Sequence, residues 1–464
     1  MKFVKKLMRF FRKISIIIAC SVLFVALLFG ELILCSKASF SDFFTTGKVS
    51  ALNDRPKNIT KNIVVDTLGI STNGGIKTLT ENVINSVALK RPDWYFTVLG
   101  RPDIEQPFNF RGNNIKIVYV DYSCSKFLIK VRDILNTVTG GYFRDQIMQL
   151  LFYDNILFNK SSCDLFFDPY AEFVINDYSV PKISLIHDIL YFDAIKKNGI
   201  DDTLEWKLKN AKAIINSSKK IITVSDYSRK HIIESYNVPD DFVKTIHIKL
   251  AHRIKEKRSP EFEESVLKKF RINDKKYLVY PSIARNHKNH VNLFRAFTKF
   301  MVQNNIPDIK LVIVGTISSE AIHRLNELID ENSENEIQSN YIKGKVVFTN
   351  FIPNSELDVV LSHALAMIFP SLYEGFGMPI IEAMNAGVPV TCSNVTSLPE
   401  IAGNAALFFD PHNVDDIIGA IKKITTDESL RKKLIQLGYE RAKYFSDKNA
   451  MIDSYIKLFE QYMN

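Results

Sequence analysis

Cysteine is scarce, with five in 464 residues. Cys20 and Cys35 lie in or beside an apolar N-terminal stretch. Cys124, Cys163 and Cys392 are scattered without metal-ligand spacing, so no disulfide framework is indicated and a reducing compartment is favoured. There is no Asp-x-Asp triplet and no His/Cys cluster with metal spacing. No short-period repeat or low-complexity tract occurs. The first thirteen residues hold no acid but carry Lys2, Lys5, Lys6, Arg9, Arg12 and Lys13. Beyond them 54 basic residues face 51 acidic ones, so six of the nine net positive charges sit at the N-terminus and nucleic-acid binding is not indicated.

Ile14 to Gly30 contains no charged residue, and Glu31 is followed by Leu-Ile-Leu-Cys. As a helix, Ile14 to Gly30 spans roughly 26 Å, and extension through Cys35 is long enough for a hydrocarbon core. No convincing small-x-small cleavage site follows, so residues 1–40 are expected to form a basic N-terminus and one uncleaved membrane anchor. The positive-inside rule places residues 1–13 in the cytosol, and a full span would then carry the body across. Either the segment is re-entrant or interfacial, with the body on the cytoplasmic side, or the body faces a lumen supplied with substrate. The sequons at Asn58, Asn159, Asn216 and Asn394 do not decide between these, because chance alone yields them in an Asn-rich chain.

The body alternates strand and helix patterns. Strands are expected at 62–68, 95–99, 115–120, 182–187, 221–224 and 243–248. Helices are expected at 76–89, 126–137, 144–158, 203–218 and 226–235. A second series starts at 277–280 and continues with helix 290–303, strand 309–314, helix 319–332, strand 345–349 and helix 355–364. Such alternation predicts parallel sheets with right-handed crossovers, hence an α/β chain with two doubly wound domains. The charged stretch 251–275, which carries Pro260, reads as the connection. The domains are expected at 41–260 and 261–440, with a closing helix in 441–464.

Residues 373–390 read Tyr-Glu-Gly-Phe-Gly-Met-Pro-Ile-Ile-Glu-Ala-Met-Asn-Ala-Gly-Val-Pro-Val, and Leu398-Pro-Glu400 follows. The apolar runs Ala364 to Phe369 and Val388 to Cys392 flank a glycine loop and a helix. Pro379 suits that helix's first turn and Gly387 its end. Backbone N–H groups at such a helix start favour an anion, usually a phosphate. The bland alternative is a tight turn with solvated glutamates that complement the helix dipole. Three other places stand beyond strand ends, where ligands gather in such sheets. They are Gly74 and Gly75, His187-Asp188, and Pro281-Ser-Ile-Ala-Arg285-Asn-His-Lys288-Asn289-His290. Taken alone, each also reads as a turn, a hydrogen-bonded structural histidine, or solvated loop charges. Ser225 also reads as a helix cap.

Together these stretches resemble retaining GT-B glycosyltransferases of the group 1 / family 4 type. Their donor-site signature is a glutamate, seven residues and a glutamate, which Glu374 and Glu382 fit. The resemblance covers roughly 62–447 and is strongest from 277 to 410. It implies two Rossmann-like domains with a cleft between them, the first binding acceptor and the second a nucleotide sugar. It implies that Lys288 meets the diphosphate, with Arg285 assisting. The family's arginine usually stands further upstream, nearer Ser282. Glu374 contacts the donor sugar and Glu382 the ribose. The N–H groups of Phe376, Gly377 and Met378 serve sugar or phosphate, Gly74 and Gly75 face the diphosphate, and His187 lies beside the sugar. Val346 to Pro353 resembles the base-contacting strand and turn, with Asn350 where glycine is common. The His-Lys-Asn-His form is similar to bacterial mannosyltransferases and points to a GDP-mannose-type donor, with UDP-sugars as the alternative.

The expected activity is metal-independent hexosyl transfer to a glycan or lipid-linked acceptor in surface polysaccharide or glycoconjugate synthesis, with no cofactor beyond the donor. Another GT-B enzyme (epimerase or phosphorylase) and a catalytically silent sugar-nucleotide-binding protein remain open. A Rossmann dehydrogenase is disfavoured because Gly69 to Gly75 lacks the dinucleotide spacing. Lys126 to Arg132 and Ile147 to Phe158 mix bases with large apolar residues. They read either as core-facing helices with a solvated side or as a face leaning on membrane.

Overall fold

The computed structural model describes residues 58–70, 75–100, 108–119, 163–171, 180–189, 202–249, 258–273, 276–303 and 308–463. The N-terminal segment, Gly74, the expected helices 126–137 and 144–158, and residues 251–257 of the expected connection lie outside the described residues. Among the described residues no helix is long and apolar enough to cross a membrane.

The first series runs β1 (Lys61–Asp66), α1 (Gly75–Lys90), β2 (Trp94–Gly100), β3 (Ile115–Tyr119), β4 (Leu165–Asp168), β5 (Lys182–Ile186), α2 (Asp202–Ser217), β6 (Lys220–Thr223), α3 (Asp226–Tyr236) and β7 (Val243–Thr245). Among the described residues its strands form one sheet in the order β3-β2-β1-β4-β5-β6-β7. Each pair with a resolved register is parallel, as Ile63 opposite Phe96 and Leu165 illustrates. The order reverses between β1 and β4, the arrangement of a doubly wound sheet. Ile63, Val65, Phe96, Val98, Phe167, Ile183 and Leu185 are buried, as strands covered on both faces require. Leu79, Val83, Ile84 and Val87 of α1 add the helical side of that core.

The second series begins with α4 (Pro260–Lys269) and β8 (Lys276–Pro281), followed by α5 (His290–Gln303), β9 (Ile309–Val314), α6 (Ser319–Glu331), α7 (Glu336–Lys343), β10 (Val346–Phe348) and α8 (Asn354–Ser362). It continues with β11 (Ala366–Phe369), α9 (Met378–Asn385), β12 (Val390–Ser393), α10 (Leu398–Ala402), β13 (Ala406–Phe409), α11 (Val414–Thr426), α12 (Glu428–Tyr444) and α13 (Lys448–Met463). Its strands order as β10-β9-β8-β11-β12-β13 and pair in parallel. Here the reversal falls between β8 and β11. Leu278, Val279, Ile313, Met367, Ile368 and Val390 are fully buried, as are Leu293 and Phe297 of α5 and Ile421 of α11. In the expected connection, Pro260 opens a helix instead of breaking one. It occupies the first turn, where its missing N–H costs nothing, and Ser259 accepts the N–H of Phe262.

The described residues fall into two compact units. Those within Met1–Leu185, Tyr191–Ile221 and Leu458–Asn464 make one, and those within Ile186–Leu190 and Ile222–Lys457 the other. In the first unit, Phe459 of α13 packs on Phe167 at a ring separation of 5.1 Å, and Lys61 Nζ donates to the Met463 carbonyl at 2.6 Å.

His290 opens α5 with its ring 5.2 Å from Tyr280 and its Nε2 buried without a hydrogen-bond partner. Burial, then the positive Lys288 and His287, hold its pKa down at about 4. Unfolded, it titrates near 6.5, so between those values the unfolded chain binds a proton that the folded chain refuses. Stability should therefore fall as pH drops from 6.5 toward 4, by up to ~1.4 kcal/mol per pH unit from this group. Urea denaturation of wild type and His290→Phe across that range measures it, and the variant should lose this share of the slope.

Candidate functional site

The second sheet reverses between β8 and β11, so the loops after these strands meet at its carboxyl edge, where ligands bind in doubly wound sheets. The loop after β8 carries Arg285, His287 and Lys288, and residues 286–288 form one 3-10 turn. The loop after β11 carries Glu374 and runs into α9. The two are tied by main chain, since Leu372 N donates to the His287 carbonyl at 2.7 Å. Buried Asn289, in the left-handed conformation at φ +58°, donates from Nδ2 to the carbonyls of Pro370 (3.0 Å) and Pro411 (2.8 Å). Tyr280 Oη donates to the Lys288 carbonyl at 2.7 Å. Burial pushes that phenol's pKa well up, so it remains a donor.

Between these loops Lys288 Nζ donates to Glu374 Oε1 at 2.5 Å, with the two side chains 18% and 13% exposed. A pair this shielded is far less screened than a surface ion pair, yet each partner keeps some solvent access. Arg285 is exposed and stands outside the pair. His287 is pushed below the ordinary histidine range by burial, then by Lys288, which keeps it neutral near pH 7.

The glycine loop has two tight points. A Cβ on Gly375 would lie 2.3 Å from the His187 carbonyl oxygen, so the backbones of the two predicted segments touch. Gly377 adopts φ +96° and caps α9 without any side-chain hydrogen bond. Pro379 then falls in the first turn of α9, as expected from the sequence. The helix therefore presents first-turn N–H groups, with their partial positive charge, beside Phe376, Gly377 and Met378. Glu382 is half-buried on α9, and Gly75 is the first residue of α1 beyond β1.

Sequence reasoning did not assign the hydroxyls that hold this loop. Ser225 caps α3 by accepting Ser228 N–H at 3.2 Å, as expected, and also donates to the Gly375 carbonyl at 2.7 Å. Glu374 N donates to Thr396 Oγ1 at 3.1 Å. Ser397 Oγ shares its one proton between the carbonyls of Glu374 (2.9 Å) and Phe376 (3.2 Å). Glu400 binds the first amides of α3, accepting Asp226 N at 2.8 Å and Tyr227 N at 2.9 Å, and pairs with His247 Nε2 at 2.7 Å. Burial alone would raise the Glu400 pKa, but these donors outweigh it and lower the value. Asp226, His247 and Glu400 are metal-ligand side-chain types brought close together. The 2.7 Å His247–Glu400 separation is that of a hydrogen bond, shorter than two ligands on one tetrahedral ion adopt.

Residues 262–441 match the family described as Glycosyl transferases group 1. The chain is 32% identical over 267 residues to O-antigen chain mannosyltransferase B of Escherichia coli, covering 58% of this chain and 67% of that protein. It is 26% identical over 257 residues to the serotype-specific mannosyltransferase WbdA of Escherichia coli, covering 54% of this chain and 30% of WbdA. Among solved structures it is similar to Anabaena HepE in complex with UDP and glucose, with a TM-score of 0.62 at 13% identity over 87% of this chain and 100% of that one. WaaG, a glycosyltransferase involved in lipopolysaccharide biosynthesis, gives a TM-score of 0.60 at 12% identity over 86% of this chain and 99% of its own. At such identities these two likenesses show fold alone, an α/β two-domain GT-B-like fold with parallel sheets.

Proposed function

Because the chain belongs to the Glycosyl transferases group 1 family, and is thus a glycosyltransferase, we propose that it moves mannose from a nucleotide-diphosphate sugar to a glycan or glycolipid hydroxyl in surface polysaccharide synthesis. The observation that carries the reading is the Lys288–Glu374 pair at the switch point of the second sheet, beside the N-terminus of α9. Bond breakage leaves negative charge on the diphosphate, and a fixed ammonium with helix N–H groups stabilises developing charge where it forms. Lys288 takes the phosphate, assisted by Arg285, and the amides of Phe376, Gly377 and Met378 complete the anion site. Glu374, freed from Lys288 by the incoming phosphate, accepts from sugar hydroxyls, and Glu382 accepts from the ribose. His187 borders the sugar.

With the positive charge supplied by protein, transfer proceeds without a metal or other cofactor. It retains the donor's anomeric configuration. Mannose is favoured by the likeness to O-antigen chain mannosyltransferase B. The acceptor role falls to 41–260 and the donor role to 261–440. The bases of residues 1–13 and the apolar run after them anchor the body to a membrane, with the catalytic part on the cytoplasmic side.

The test is release of GDP and UDP from GDP-mannose, UDP-glucose and UDP-galactose, each with and without a bacterial lipid extract. GDP release that requires the extract, with mannose in the lipid fraction, is the expected result. Release without an acceptor indicates hydrolysis, a changed sugar nucleotide indicates epimerisation, and binding without turnover indicates a silent binder. Any of these overturns the reading. Glu382→Ala should weaken binding of the released nucleotide about tenfold, the equivalent of losing one charge-assisted hydrogen bond. Calorimetry with GDP measures it, and an unchanged affinity removes the ribose role.

A further inference from the structure

We propose that Thr396 and Ser397, backed by Ser225, are positioning residues that hold the peptide groups of Glu374–Phe376 and so aim the Glu374 carboxylate. The proposal rests on the reading of Glu374 as the group that meets the donor sugar. Four hydrogen bonds carry it, and none comes from the loop itself. Thr396 accepts the Glu374 N–H, Ser397 donates to the carbonyls of Glu374 and Phe376, and Ser225 donates to that of Gly375. Four successive peptide units, from 373–374 to 376–377, are thus gripped by side chains 21 to 150 positions away in sequence. Ser225 and Ser397 are fully buried, so water does not compete for them.

A second observation points to the same place. Thr396 sits at φ +55°, left-handed backbone that a β-branched residue adopts only under constraint. Such outliers gather at sites where the strain fixes a functional geometry. Here the turn brings the Thr396 hydroxyl to the Glu374 amide and starts α10 at Leu398. From α10, Glu400 then grips the first amides of α3, whose cap Ser225 returns to Gly375. Arg441 anchors this arm from the other side through the Glu400 and Ile401 carbonyls. The grip closes on itself: the segment 396–400 holds the glycine loop both directly and through α3.

Thr396→Val keeps the shape and the branch but removes the hydroxyl, and Thr396→Ser keeps the hydroxyl. Hydrogen exchange of the peptide covering 374–377 should quicken about tenfold in Thr396→Val and return to the wild-type rate in Thr396→Ser, with other segments unchanged. Sugar transfer should fall about tenfold in Thr396→Val, with affinity for the released nucleoside diphosphate within twofold of wild type, because Glu382 and the α9 amides are left in place. Ser397→Ala gives the same pattern and serves if Thr396→Val does not fold. Wild-type exchange in both variants overturns the proposal whatever the activity. Faster exchange with undiminished transfer, or equal loss of transfer and nucleotide affinity, overturns it as well, since a merely structural role predicts those outcomes. If wild type transfers no sugar at all, the proposed function fails and the aiming role with it, while the exchange data still show separately whether the loop is held.

Discussion

Lys288→Ala should lower sugar transfer by about two to three orders of magnitude, the loss seen when one preorganised donor to a developing anion is removed. In free-energy terms that is roughly 3–4 kcal/mol of transition-state stabilisation. The structure also predicts a separate cost to folding. Lys288 is paired with Glu374 at 2.5 Å, and the carboxylate is only 13% exposed, so truncation leaves a largely buried charge without its cation. Breaking a fully buried pair from one side costs about 3–5 kcal/mol, and solvent access at this site brings the expected loss to about 1–2 kcal/mol. The two costs come apart in the double variant Lys288→Met/Glu374→Gln. Removing both charges should restore most of the stability, because no unpaired ion remains. It should restore none of the transfer, because the phosphate still lacks its cation. Urea denaturation and initial-rate assays on wild type and these two variants make the measurement. Transfer near the wild-type rate in Lys288→Ala would remove Lys288 from the phosphate site.

That pair was half legible in the sequence. Glu374, Glu382 and Lys288 announce themselves as charges beside glycines and strand ends, and the doubly wound order places such loops at one edge. Their meeting at 2.5 Å was not readable, because it depends on the reversal between β8 and β11, which no local pattern encodes. The hydroxyls were harder still. Serine and threonine are common, each reads locally as a cap or turn residue, and Ser225 was expected as a cap and is one. Its second bond reaches across 150 positions. Strands β4 and β13 escaped for a different reason. Leu165–Asp168 and Ala406–Phe409 are four residues each, and so short an apolar run has no period to distinguish strand from helix. Longer elements such as α5 and β9 fell where their periodicity put them, at His290–Gln303 and Ile309–Val314.

Gly375→Ala should be nearly as damaging as loss of Lys288, though it removes no functional group. The new methyl would stand 2.3 Å from the His187 carbonyl oxygen and 3.1 Å from Asp188 Cβ. Main chain cannot yield as a flexible side-chain tip does, so one of the two segments must move by roughly an ångström to regain van der Waals contact. The Gly375 carbonyl is held by Ser225 and the flanking peptides by Thr396 and Ser397, so the movement strains that grip or carries Glu374 away from Lys288. A displacement of this size at a reacting centre costs about a hundredfold in rate, and the overpacking itself costs about 1–3 kcal/mol of stability. The same substitution at Gly419, inside α11, supplies the contrast. A Cβ there meets nothing within 4 Å, and the residue is exposed on a helix. Gly419→Ala should therefore raise stability by about 0.5–1 kcal/mol through helix propensity and leave transfer unchanged. Opposite signs from one chemical change would locate the effect of Gly375→Ala in the contact with His187. Wild-type transfer by Gly375→Ala would mean that the two backbones can part without disturbing Glu374, and the loop would then not be the rigid support that its hydrogen bonds describe.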